Sequence, residues 1–379
     1  MRRLLPLLCG LLLAACGQRA ARPIGDFTLP VYTPRYASGF EITGAAGSRS
    51  TLVTVHNPWY GDEVTDQSLF IARDGEPAPA GFEGQVLRDE ARRVVCMSGS
   101  YIAMLDALGA ADRVVGVSGA QYLINETLRR RIARGEAADV GFDSNVDFER
   151  LMALRPDLVM LFGIGGADTA LTGKLRELGI PYLYMGEHCE ESPLGKSEWV
   201  VVAAEIAGLR TEGSRLFAAI PERYERLRAL AQQTAARPRV MLNTPYRDTW
   251  FMPARNSYMV RLLEDAGARY VFEENTATQT LPIDIEQAYY LTSKSDFWLN
   301  VSGCNTLDEV RRQNPRLADT PPVREGRVYD NNRRRNAAGG SDFWESGVLR
   351  PDRVLADLVH IFHPELSETD ELYYYRQLE

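Results

Sequence analysis

The sequence predicts an α/β protein of two lobes joined by one long helix, with a β-hairpin or meander ahead of them. Three observations carry this. From Arg92 onward, apolar strand runs alternate with amphipathic helical runs. One apolar stripe at helical spacing fills the middle of the chain. After Pro238 the strand–helix alternation begins again. Strands alternating with helices bury both faces of a sheet, which specifies a mainly parallel sheet covered on both sides.

Taken in order, the chain opens with Arg2 and Arg3, an apolar run over 4–15, and Leu13-Ala14-Ala15-Cys16. The run is shorter than the ~20 apolar residues that span a bilayer, and small residues before a cut site mark a secretory signal. The last four residues resemble the lipobox of bacterial lipoproteins, which implies acylation of Cys16 and anchoring through its lipid. Residues 1–15 are then the signal peptide. Residues 16–30, small, polar and proline-containing, suit a flexible tether. Across 31–90 the pattern is short β-type runs: Thr51-Leu-Val-Thr-Val-His56 alternates, Asn57-Pro58-Trp59 turns, and Ser68-Leu-Phe-Ile-Ala72 resumes.

Residues 91–195 form the first lobe. Arg93 to Ser98 reads as a buried strand, Tyr101 to Leu108 as a helix stopped at Gly109, and Arg113-Val-Val-Gly-Val117 as the next strand. A helix before Pro156 and strands at Leu158-Val-Met-Leu-Phe162 and Pro181-Tyr-Leu-Tyr-Met185 continue the series. Residues 196–237 hold the joining helix, with Leu216, Ile220, Tyr224, Leu227 and Ala231 on one stripe. Residues 238–379 form the second lobe, beginning with Arg239-Val-Met-Leu-Asn243.

Composition limits the function. Of 379 residues, 45% are apolar and 25% charged, as in a soluble globular body, and the net charge is −8. Losing two leader arginines makes it −10, which argues against a nucleic-acid partner. Cys96, Cys189 and Cys304 remain in the mature chain; Cys96 reads as a buried thiol, and one disulfide between two of the three stays open. No Cys/His spacing marks a zinc site. Glu187-His188-Cys189-Glu190-Glu191, read as a strand, would point its side chains to alternate faces and so not converge on one ion.

Several segments carry a family resemblance. Arg93-Val-Val-Cys-Met-Ser-Gly-Ser-Tyr101, Val146-Asp-Phe-Glu-Arg-Leu-Met-Ala-Leu-Arg-Pro-Asp-Leu-Val159 and Leu281-Pro-Ile-Asp-Ile-Glu286 resemble the substrate-binding lipoproteins of ABC importers for iron complexes and vitamin B12. Asn57-Pro-Trp59, Pro193-Leu-Gly-Lys-Ser-Glu-Trp199, Asn256-Ser-Tyr-Met259 and Gly339-Gly-Ser-Asp-Phe-Trp-Glu-Ser-Gly347 resemble the branch of that family found in Bacteroidetes-type bacteria. The resemblance implies the class III periplasmic binding protein fold, two Rossmann-like lobes on a rigid helix with the ligand between them. It also implies a monomer, no resident cofactor, any metal arriving inside a small-molecule chelate, and a membrane permease as partner. Glu149 and Glu286 match the two acidic positions that pair with permease arginines.

For the ligand, open α/β sheets bind at the carboxyl ends of their strands. That rule puts Ser98, Ser100 and Tyr101 at the first lobe's rim, where either serine could instead cap the helix. In the second lobe it selects Tyr246, Arg247 and Trp250. Trp59, Tyr122 and Trp344 are further aromatic candidates for stacking on a macrocycle or catecholate, while Trp298, mid-strand, reads as core. Arg333 and Arg335, in a run of three arginines, could grip an anionic chelate, or the run could pair with Asp342 or Glu345. The competing classes are an α/β enzyme acting on a small metabolite and a non-transport envelope lipoprotein. Gly163-Ile-Gly-Gly166 follows a strand but lacks full nucleotide-loop spacing, and no GxSxG elbow occurs.

Overall fold

The computed structural model describes residues 21–59, 65–163, 169–246, 249–277, 279–367 and 371–379. The leader, Cys16 and Arg247 lie outside them. The region ahead of the lobes is a five-stranded sheet whose first four strands form the expected meander. Strands β1 (Leu29–Tyr32), β2 (Phe40–Gly44), β3 (Thr51–His56) and β4 (Asp66–Ala72) run antiparallel in sequence order, and β5 (Gln85–Arg88) joins β4 in parallel. The alternation seen in the sequence shows the antiparallel strands. A parallel partner needs a crossover, here over 73–84, which no periodicity announces.

The N-terminal lobe contains β6 (Val94–Cys96), α1 (Gly99–Ala107), β7 (Val114–Val117), α2 (Glu126–Ala133), β8 (Ala138–Asp139), α3 (Phe148–Leu154), β9 (Leu158–Phe162), α4 (Ala170–Leu178) and β10 (Tyr182–Met185). Its five strands are parallel, in the order β10-β9-β6-β7-β8. Both faces are buried, as an all-apolar strand demands. Val94 and Cys96 face one core cluster, while Val95 faces another with Val115, Val159, Leu161 and Leu175.

Helices α5 (Pro193–Glu198), α6 (Val200–Ile206) and α7 (Arg210–Ala231) lead out of this lobe. At ~1.5 Å per residue, the 22-residue α7 is about 33 Å long, a spine across the molecule. Its buried stripe is Phe217, Ile220, Tyr224, Leu227 and Ala231; Leu216 is only half-buried. Pro221 sits inside the helix and is buried. Gly213 lets α7 approach α6 closely, since a Cβ there would stand 2.3 Å from the Ala204 methyl group.

The C-terminal lobe follows with β11 (Arg239–Leu242), β12 (Pro245–Tyr246), β13 (Thr249–Met252), α8 (Tyr258–Asp265), β14 (Arg269–Tyr270), β15 (Leu281–Ile283), α9 (Ile285–Ser293), β16 (Phe297–Leu299), α10 (Leu307–Gln313), α11 (Pro321–Arg324), β17 (Val328–Asp330), α12 (Pro351–Phe362) and β18 (Arg376–Gln377). Its main sheet has the order β14-β11-β16-β17-β18, parallel except for β18, with a small antiparallel sheet β12-β13-β15 beside it. One continuous apolar cluster runs from Val53 and Leu69 in the first sheet through Val201 and Tyr224 to Trp298 and Leu358. Extension, lobes and spine therefore share a core.

Among the described residues, Cys96, Cys189 and Cys304 are all free thiols, and no helix is long and apolar enough to cross a membrane.

Candidate ligand cleft

The carboxyl ends of both parallel sheets meet at the lobe boundary. On the N-terminal side, Ser98 caps α1. Its Oγ accepts the Ser100 amide and lies 2.9 Å from Ser100 Oγ, which donates to Glu187 Oε1 at 2.9 Å. Both serines expected at the rim are thus at the strand end, and both hydroxyls already have partners within the lobe.

Glu187 follows β10 in a one-turn 3-10 segment, Glu187–Cys189. These residues form a turn and not the strand expected, so their side chains do not alternate between two sheet faces. His188 Nε2 lies 2.7 Å from Gly163 O, and its ring stands 4.4 Å from Phe162. Burial opposes charge on His188, but Cys189 and Glu187 outweigh it and raise its pKa to about 9. Among the described residues no group of three His, Cys, Asp or Glu is placed to hold a metal ion.

Lys196 on α5 is buried, with Nζ 4.7 Å from the centre of the Tyr258 ring of the other lobe. Burial pushes its pKa down, against Glu187, Cys189 and Glu190. A cavity of about 380 Å³ opens at Ser192, the residue that caps α5, and is lined also by Tyr36 and Ser38, by Cys189 and Glu191, and by Arg255 and Asn256.

One loop of the C-terminal lobe, between β17 and α12, reaches across to the segment after β7. Asn336 Nδ2 donates to Gln121 O and Leu123 O at 2.9 and 3.1 Å. Glu345 accepts the Ile124 and Asn125 amides at 2.9 and 2.6 Å. Gly340 lies so close to Tyr122 that a Cβ there would meet the Tyr122 carbonyl at 1.7 Å, so only glycine fits. Burial, with Asp342 and Asp106 nearby, raises the Glu345 pKa to about 7 despite its two N–H donors. Asp330, at the end of β17, is raised by burial to about 6.

Exposed aromatics cluster where this loop crosses. Tyr122 lies 6.2 Å from Phe142 on the N-terminal lobe, and Trp344 belongs to the crossing loop; these rings are 43%, 43% and 58% exposed. Tyr246 is also exposed, on the β12–β13 hairpin.

Three expected ligand contacts are core residues instead. Tyr101 is fully buried and its hydroxyl donates to Leu161 O at 3.2 Å. Trp250 is buried against Trp298, ring centres 5.6 Å apart, with its N–H on Leu242 O at 2.9 Å. Each polar tip finds a backbone partner inside, which lets the whole ring sink. Trp59 is buried edge-on against Tyr184.

The three adjacent arginines do not act together. Arg333 pairs with Glu371 at 3.0 Å and Arg334 with Asp342 at 2.6 Å, while Arg335 is exposed in a short bridge to Ser341. Glu187, Lys196, Asn336 and Glu345 lie in segments that the sequence marked on other grounds: the Glu187–Glu191 run, the Pro193–Trp199 segment and the polar runs after β17.

Glu149 and Glu286 occupy equivalent places. Each lies in the first turn of a helix, α3 or α9, two residues after the capping Asp147 or Asp284, and each is exposed. Both helices run back along the following parallel strand, so both first turns lie at the carboxyl-end side of their sheets. Glu286 pairs with Arg316 at 2.9 Å.

A family model described as periplasmic binding protein matches residues 94–333. The chain belongs to the periplasmic binding protein family. A periplasmic heme binding protein from Pseudomonas aeruginosa superposes on this binding protein with a TM-score of 0.58 at 20% identity, over 76% of this chain and 98% of that one. The heme-binding protein RhuT from Roseiflexus sp. RS-1 gives 0.55 at 21%, over 72% and 98%. At these identities the likeness is one of fold, the class III arrangement. An uncharacterized lipoprotein of Methanocaldococcus jannaschii is 25% identical over 332 residues, covering 82% of this chain and 77% of its own.

Proposed function

We propose that this binding protein captures a metal chelate (ferric siderophore, haem or cobalamin) between its lobes and delivers it to the permease of an ABC importer. It acts as a monomer without resident cofactor or catalysis, held at the membrane by lipid on Cys16. The observation that carries this reading is the boundary itself. Two parallel sheets end there, a single spine limits the lobes to a modest hinge, and Tyr122, Phe142 and Trp344 expose ring faces beside the crossing loop. Rings held at a rim suit a rigid, flat or catechol-bearing ligand. The family membership and the heme-binding proteins of the same fold support it.

The test uses purified protein with haemin, a ferric catecholate siderophore and cyanocobalamin, followed by visible absorbance and tryptophan quenching. Submicromolar binding of one of them, weakened in Trp344→Ala, is expected. If all three fail and a colourless metabolite binds, the chelate reading is wrong.

A further inference from the structure

The loop between β17 and α12 meets the N-terminal lobe through five consecutive residues, Gln121 to Asn125. Asn336 Nδ2 donates to the Gln121 and Leu123 carbonyls, Gly340 lies against the Tyr122 carbonyl, and Glu345 accepts the Ile124 and Asn125 amides. Each side of this contact keeps its shape by bonds of its own. In the loop, Arg334 pairs with Asp342, Asn336 Oδ1 accepts the Ala338 and Gly340 amides, and Ser341 Oγ donates to Asn331 O. Phe343 roots the loop in its own lobe, edge-on to Tyr374 and Tyr375. On the N-terminal lobe, Asp139 accepts the Gly119 and Ala120 amides, while Asn125 caps α2 and donates to Asp106 at 2.7 Å. None of these internal bonds crosses between the lobes. Parting the two surfaces therefore breaks four hydrogen bonds and leaves both shapes intact, and water takes up the groups released at small net cost.

On the reading that the ligand enters at the lobe boundary, we propose that this loop is a strap across the cleft. It shuts the ligand-free protein, releases residues 121–125 to admit a ligand, and recloses afterwards. Tyr122 lies in the seat and Trp344 in the strap, so release parts two exposed rings and reclosure brings both back towards a flat ligand. Gly340 makes the seat close. Its φ is not positive, so what excludes a side chain there is the Tyr122 carbonyl, 1.7 Å from where a Cβ would stand, and not the backbone. A methyl group at this position is a wedge that opposes closure alone.

Gly340→Ala and Asn336→Asp test it on the whole mature protein. The second keeps the acceptor for Ala338 and Gly340 but sets an oxygen against the Gln121 and Leu123 carbonyls, and it carries the same readouts should the first fail to fold. In ligand-free wild type, the Ile124 and Asn125 amides are expected to exchange hydrogen at least tenfold faster than those of β6 and β9, through openings that leave the lobes folded. Each variant should speed exchange at these two amides at least tenfold further and leave β6 and β9 unchanged. With haemin and cyanocobalamin as probes, stopped-flow tryptophan quenching by a probe that binds should be at least tenfold faster in the variants. Wild-type amides at 124 and 125 that exchange no faster than β6 and β9 would show a contact that opens only on unfolding, and overturn the strap. Variants that loosen β6 and β9 equally would overturn it too, as would unchanged association of a bound probe. If neither probe binds while exchange behaves as expected, the strap stands and the chelate reading fails.

Discussion

Glu198 and Glu345 are both buried, and both accept backbone amides where separate parts of the chain meet, yet their surroundings differ. Glu198 takes three amides, from Arg35, Tyr36 and Ala37 at 2.7–2.8 Å, and the Tyr32 hydroxyl at 2.7 Å. Glu345 takes two amides and has Asp342 and Asp106 for neighbours. The first fastens the N-terminal sheet to α5 with its full set of donors. The second spans the two lobes with fewer donors and like charges nearby. Donor count and neighbouring sign separate a permanent joint from an adjustable one.

The largest test of this contrast is Glu198→Ala. Orphaning three amides at about 1–3 kcal/mol each, part of it recovered by water, should lower stability by about 3 kcal/mol or more in urea unfolding. It should also open the 33–39 segment to protease. Unchanged stability would mean that the joint is held by packing alone.

Glu345→Gln comes next and has a pH signature. The folded-state pKa of about 7 stands above the usual 4.5, so the folded protein holds this proton more tightly than the unfolded chain. Wild-type stability therefore falls as pH rises from 4.5 to about 7, by roughly 3 kcal/mol at most, and is flat in this respect outside that window. The difference between variant and wild-type unfolding curves across that range reads it directly; a pH-independent difference would put Glu345 with the permanent joints.

The smallest effect on the fold is expected from Glu149→Ala combined with Glu286→Ala. Both residues are exposed, so stability should stay within ~0.5 kcal/mol and ligand quenching should not change. Uptake by cells should nevertheless be abolished, since two separated charges set the register of docking. Normal uptake by the double variant would remove them from the permease interface.

Much of this was legible in the sequence where burial has a period. The strands from Val94 onward, the spine stripe through Tyr224 and the core position of Trp298 all follow from spacing. Tyr101 and Trp250 were misplaced because a chain position at a strand end does not say whether a ring turns inward. Their hidden backbone partners, Leu161 O and Leu242 O, belong to distant or folded-back strands. Glu187 and Lys196 lie in segments the sequence marked on other grounds, and only the fold shows that both are buried at the end of the N-terminal lobe. Residues 35–39 carry no apolar period at all, and their amides find Glu190 and Glu198 only in three dimensions.

That last joint also has a consequence for how the chain assembles. Tyr32 and Glu198 are 166 residues apart, and Ser38 and Glu190 are 152 apart. Such distant closures are slow, because loop entropy is lost before any contact repays it. The strands made first must wait for the end of the N-terminal lobe, so the earliest part of the body to be synthesised is among the last to be fastened.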